Sequence, residues 1–212
     1  MTQQPELPRN KKIIMVILII YTLNSIVFKA GKVNVALFAV EQGAGPVAVG
    51  LLVSILAFFP MLLAVHAGKV SDRFPYRYPV VYGALGMGVA YLLPFLFPYL
   101  ATLYVSQLML GSANIFFHVA MHNLFGSIGD DDERTRNFSM MSLGASASGF
   151  LGPVMIGFSI DHFGHALSYL FMAVLCVAPL SMIYWLPTSL NVVKKKSRSA
   201  GKRAADLIKI PL

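Results

Sequence analysis

Gln107, Gly111, Asn114, His118 and His122 recur at three- and four-residue spacing within one apolar stretch. At helical periodicity they fall within about 80° of one another, so one face carries an amide, a second amide and two imidazoles. Such a face offers donors and acceptors to a polar solute, and imidazole exchanges protons near neutral pH. A second arc holds Tyr21, Thr22, Ser25, Phe28, Lys29 and Lys32 within roughly a third of a helix circumference. His118 and His122 could share a metal ion, but no carboxylate or thiol stands near to complete the ligand set, so no metal is expected. Lys29 is read either as a cavity contact or as a snorkelling side chain, and Lys32 as snorkelling. No nucleophile with a paired base and no His-Glu-x-x-His string occurs, so neither an enzyme nor a cofactor is expected.

The elements that must position these residues are lipid-facing. Of 212 residues, 57% are apolar and 12% charged, with mean hydropathy +0.68. A soluble domain carries about 25% charged residues, so a water-soluble, disordered or fibrous chain is excluded. A bilayer core needs about 20 helical residues, and six blocks meet that length. They are Ile13 to Phe38, Pro46 to His66, Tyr78 to Phe97, Tyr99 to Gly126, Phe138 to Ile160 and Ala166 to Pro187. Continuous rather than alternating hydrophobicity favours helices over barrel strands, giving an all-α membrane protein. The single cysteine, Cys176, sits inside a block and forms no intramolecular disulfide. Ile13 to Leu23 could pass for a signal sequence but is expected to remain as the first helix, since no cleavage site follows.

Of the 17 Lys and Arg residues, 15 lie before span 1, between spans 2 and 3, between spans 4 and 5, or after span 6. Those segments share one side of a six-span chain, which by the positive-inside rule is cytoplasmic, so both termini face the cytoplasm. The net charge of +8 therefore needs no nucleic acid. The basic run from Lys194 to Arg203 suits the anionic inner leaflet.

Between spans 2 and 3 the chain reads Gly68-Lys69-Val70-Ser71-Asp72-Arg73-Phe74-Pro75-Tyr76-Arg77. This resembles the Gly-x-x-x-Asp-Arg-x-Gly-Arg-Arg/Lys loop of the major facilitator superfamily, with Gly68, Asp72, Arg73 and Arg77 matching and Pro75 and Tyr76 departing. Gly144, Gly149, Gly152, Pro153 and Gly157 resemble the Gly-Pro motif of helix 5 in that family's antiporters, with Ser148 and Ile156 departing from it. Gly144, Ser148 and Gly152 also form a small-xxx-small packing face, whatever the protein does. Where the family often has an Arg four residues before a Gly in helix 4, this chain has Gln107 before Gly111.

The resemblance implies the amino-terminal six-helix half of a facilitator transporter, moving a small solute by alternating access. It implies a substrate cavity lined by helices 1 and 4, through Thr22, Ser25, Lys29, Gln107, Asn114, His118 and His122. It implies a cytoplasmic gate of Gly68, Asp72, Arg73 and Arg77, joined by Arg134 and Arg136 behind the acidic turn Asp130 to Glu133. Gly144, Ser148, Gly152, Pro153 and Gly157 would pack helices. The expected organisation is a cytoplasmic segment 1–12, a bundle 13–187 and a basic tail or start of a central loop 188–212. The location expected is the plasma membrane, as in a bacterial inner membrane, and the expected partners are lipid, a small-molecule substrate and a second six-helix half, as a homodimer or a separate chain. The alternative is a membrane subunit or truncated remnant with no transport of its own.

Overall fold

A computed structural model describes the backbone of residues 8–129 and 131–184, and the side chains of 13–129 and 132–182. The expected tail, 188–212, lies outside the described residues. The elements are α1 (Pro8–Glu41), α2 (Pro46–Arg73), α3 (Arg77–Leu96), α4 (Leu100–Gly126), α5 (Asp131–Leu175) and α6 (Val177–Tyr184), and no strand occurs among the described residues. Proline opens α2, where its missing N–H costs no intrahelical bond. Gly43, at φ 81°, makes the turn out of α1, and Phe74 is held extended by the following Pro75, which ends α2.

Five segments are long and apolar enough to cross a membrane. The fifth, Asp132–Met182, runs to 51 residues, far beyond the about 20 that a bilayer requires. It is not straight. Gly164 sits at φ 75°, ψ 172°, and the Ser159 and Ser168 hydroxyls on either side of it are 2.8 Å apart. In a straight helix residues nine apart lie on opposite faces and about 13.5 Å apart along the axis. The chain therefore folds back at Gly164. The range of α5 thus covers two helices, one on each side of the bend, where the expected blocks Phe138 to Ile160 and Ala166 to Pro187 meet; the second is interrupted at Cys176 and resumes as α6, and residues 185–187 lie outside the described residues. The break glycine lies in the string Asp161-His162-Phe163-Gly164-His165, the gap between the fifth and sixth apolar blocks.

Two buried clusters stack along the helices. One gathers Ile17, Ile20, Tyr21, Tyr76, Val80, Phe117, Met121 and Phe125, near the end that carries the basic loops. The other, towards the opposite end, gathers Val27, Phe38, Leu52, Met87, Tyr91, Leu110, Ile156 and Tyr169. Helices α1 and α5 pack along one seam, and α4 packs between α2 and α3. Prolines inside the helices shape these seams. Pro94 removes the N–H that would bond the Ala90 carbonyl, and the Ser106 hydroxyl of α4 donates to that carbonyl instead at 2.7 Å. Pro60 likewise frees the Leu56 carbonyl of α2, and α4 approaches it at Gly111, where a Cβ would lie 2.6 Å from the oxygen. The outer surface is apolar, with Met61, Leu62 and Val65 of α2 and Leu143, Phe150 and Phe158 of α5 exposed.

Candidate functional site

His118 and His122 are one turn apart on α4, and their rings lie tilted at 35° with centroids 4.4 Å apart. Tyr21 of α1 closes the group: its hydroxyl is 3.4 Å from His118 Nε2, and its ring meets His122 edge-on at 6.5 Å. Phe125 and Phe138 wall the far side, contacting Tyr21 and His122 respectively. Tyr21 is buried while both histidines are half-buried, so the imidazoles keep an open edge. Ser25 stands one turn along α1 from Tyr21 and is half-buried. A phenol beside two imidazoles can pass or share a proton, or present a donor and acceptors to a solute. Among the described residues no third His, Cys, Asp or Glu joins the pair to make a metal site.

The stripe on α4 does not stay in one environment. Gln107 is fully buried, and neither its side-chain N nor its side-chain O has a partner. One turn on, Gly111 lies against α2, whereas His118 meets α1. Asn114 is half-buried between them. Helix α4 thus turns its upper polar residues towards α2 and its lower ones towards α1.

Lys29 sits elsewhere, on the seam between α1 and α5. Its ammonium donates to the Ala145 carbonyl at 2.5 Å, and Gly149 leaves room for it, since a Cβ there would lie 3.3 Å from Nζ. Gly152 brings the backbones together: its Cβ would stand 2.9 Å from the Ile26 carbonyl and 3.1 Å from Lys29 Cβ. Ser148 donates to the Thr22 carbonyl at 3.2 Å, and a Cβ on Gly144 would collide with the Thr22 hydroxyl. Thr22 is accordingly part of the packing seam as well as of the sequence arc. Gly157 has nothing within 4 Å of its Cβ position, and Pro153 is exposed, so neither packs against another helix of this chain. Lys32 is exposed and lies over the Phe28 ring at 5.0 Å.

At the basic end, Asn123 of α4 donates to the Ser71 hydroxyl of α2 at 2.9 Å, beside Asp72. Asp72 and Arg73 are exposed, while Tyr76 is buried and Arg77 half-buried. Burial pushes the Tyr76 phenol above its usual range, against a hydrogen bond and the positive charge of Arg77. Tyr76 therefore serves as a core anchor where the resembled motif has an Arg. Gly68 has open space around its Cβ position, so no other helix of this chain approaches closely there. Arg134 is half-buried, and Arg136 lines a groove of about 250 Å³ with Ile14, Met15 and Met140. Asn137 donates to the Ile128 carbonyl at 3.0 Å and pins the turn between α4 and α5.

A further polar group lies at the opposite end, outside the sequence arcs. His165 Nδ1 is 2.7 Å from Asn34 Oδ1, its Nε2 is 3.7 Å from Glu41, and its ring stacks on Phe38 at 5.3 Å. It straps the end of α1 to the bend of α5. The one sequence signal is Asn34 inside an otherwise apolar stretch.

The Major Facilitator Superfamily profile matches residues 15–211, nearly the whole chain. The chain belongs to the major facilitator superfamily. Multidrug resistance protein 2 of Bacillus subtilis (strain 168) is 24% identical over 161 residues, which is 76% of this chain and 40% of that protein. Among solved structures, the peptide transporter POT in complex with sulfate superposes with a TM-score of 0.77 at 17% identity, over 97% of this chain and 46% of that one. The human organic anion transporter MFSD10 (TETRAN) does so with a TM-score of 0.69 at 16% identity, over 85% of this chain and 48% of that one. At these identities the structures establish a shared fold. The chain spans less than half the length of each of these relatives. As a superfamily member with five long apolar helices, it is a multi-pass membrane protein of a transporter family.

Proposed function

We propose that this chain forms one six-helix half of a secondary transporter that moves a small solute by alternating access. The observation that carries this reading is the meeting of Tyr21 on α1 with His118 and His122 on α4 in a superfamily member: polar groups inside apolar helices are costly and default to substrate or proton pathways. Counting the two arms of α5 as two crossings gives six. The positive-inside rule then puts both termini in the cytoplasm, with Asp72, Arg73, Arg77, Arg134 and Arg136 around an inner gate that Ser71 and Asn123 help to close. Tyr21, His118 and His122 lie in the cytoplasmic half of the cavity, with Thr22, Ser25, Lys29 and Asn114 above them. Gln107 is a cavity residue only in a conformation that separates α4 from α2.

A second bundle completes the transport path, docked on the sparsely covered faces of α2 and α5. Only 11% of the best apolar window of α2 is buried within the chain, against 44% for α3. Rocking of two such halves about a midplane site is the geometry by which transporters of this architecture alternate. The plasma membrane of a bacterium is the proposed location. The test is uptake and efflux of a solute panel in cells expressing the chain with its native membrane partners. His118→Ala and Tyr21→Phe should lower the transport rate at unchanged membrane abundance. Wild-type rates in both variants sink the assignment of the α1–α4 cluster.

A further inference from the structure

Lys29 is placed where snorkelling cannot explain it. It stands 12 residues before Glu41, the last residue of α1, so its Cα is about 18 Å below that helix end. A lysine side chain spans about a third of that distance, and the Cα–Cβ bonds of a helix tilt towards its N-terminus, away from that end. The ammonium follows this tilt and reaches across to the Ala145 carbonyl of α5. It is therefore held at mid-depth, on the helix seam. One carbonyl engages one of three ammonium protons and neutralises no charge.

Nothing else in the apolar part of the chain neutralises it either. The nine Asp and Glu residues are Glu6, Glu41, Asp72, Asp130, Asp131, Asp132, Glu133, Asp161 and Asp206, all in loops, helix ends or terminal segments. No apolar block contains a carboxylate within its interior. A half-buried cation at mid-depth needs a counter-charge, because desolvating an unpaired ammonium costs several kcal/mol in lipid by the commonly used scales. Gly149 keeps the space beside Nζ open, and the exposed Ser146 directly follows Ala145 on α5. Resting on the transporter reading above, we infer that Lys29 is the anchoring site for an anionic solute, a carboxylate or sulfonate, which the ammonium grips with its two remaining protons. The polar Tyr21 and His118 group, about 12 Å further along α1, would then contact the uncharged part of the same solute.

The test is ligand-dependent thermal stability of the full chain in detergent, read with a thiol-reactive dye. Cys176 is the sole cysteine and is 2% exposed, so labelling follows unfolding. The probes are benzoate and p-toluenesulfonate, with benzamide as the neutral counterpart and benzylamine as the cation. Both anions should raise the melting temperature by several degrees, at constant ionic strength, and the neutral and cationic probes should not. Lys29→Met should abolish that shift, Lys29→Arg should retain it, and Lys32→Met should leave it intact. A shift that survives Lys29→Met, or equal shifts with benzamide, overturns the inference. So does a wild-type chain that no anion stabilises, a result that would assign the counter-charge to a carboxylate of the second bundle. His118→Ala separates the two readings: loss of transport with an intact anion shift supports both, whereas loss of transport without any wild-type anion shift overturns only the anion site.

Discussion

The seam between α1 and α5 makes a quantitative prediction. Gly152→Ala adds a Cβ 2.9 Å from the Ile26 carbonyl and 3.1 Å from both the Ala30 nitrogen and Lys29 Cβ. The first two are backbone atoms, which cannot swing aside as a side chain would. Ordinary contacts at such a site lie near 3.5 Å, so the helices must part by about half an ångström. Overpacking of this kind costs about 1–3 kcal/mol, and the better helix propensity of Ala returns up to about 1 kcal/mol. A net loss of about 1–2 kcal/mol lowers the melting temperature by roughly 2–8 °C for a chain of this size. Gly157→Ala is the control, because nothing lies within 4 Å of its Cβ position. There only the propensity gain acts, and the melting temperature should rise slightly. Thermal unfolding in one detergent, read through Cys176, compares the two. A Gly152→Ala chain that melts at or above the wild type, or below which Gly157→Ala falls, would refute the packing argument.

Three further outcomes are expected. Gln107→Leu replaces a fully buried amide that has no partner with an apolar side chain, and should raise stability by about 1 kcal/mol; a lower melting temperature would mean that the amide is bonded in the membrane. Asn34→Ala removes both contacts to His165 and should cost about 1–2 kcal/mol while hastening hydrogen exchange over residues 161–168; unchanged exchange there would show that the strap does not hold the bend. Ser106→Ala strands the Ala90 carbonyl that Pro94 leaves open, and should cost about 1–2 kcal/mol; in a Ser106→Ala, Pro94→Ala double variant the helical bond returns, and the melting temperature should recover towards wild type.

Legibility in the sequence followed from what each pattern can encode. The apolar blocks are long, continuous and punctuated by short polar loops, so the existence of helices α1 to α4 follows from composition. Their ends do not: α1 runs from Pro8 to Glu41 and α2 on to Arg73, beyond the apolar blocks, because a helix continues past the apolar stretch until a breaker such as Gly43 or Pro75 stops it. The basic residues cluster in alternate segments, which is a property of the string and needs no coordinates. The convergence of Tyr21 with His118 and His122 was foreshadowed by two polar arcs, because a polar face in an apolar helix has to find another polar face. The reversal at Gly164 falls in the polar gap between the blocks ending at Ile160 and starting at Ala166, so its place was legible, while the positive φ that Gly164 adopts was not.

Periodicity assigns a residue to a face of its own helix but not to a neighbour, and that limit divides what the sequence determined from what the tertiary structure decided. By sequence the chain is an all-helical membrane protein with its basic residues gathered in alternate loops and polar residues on two helices. Only the packing sends Gln107 and Gly111 towards α2 while His118 turns to α1, because helices that cross at an angle give successive turns of one stripe different partners. Only the packing brings the Lys29 ammonium to the Ala145 carbonyl, a partner on another helix that no spacing within α1 could name. The same holds for Asn34, Glu41 and His165, brought together from positions more than 120 residues apart: the sequence places the chain reversal near His165 but not the helix end against which it packs.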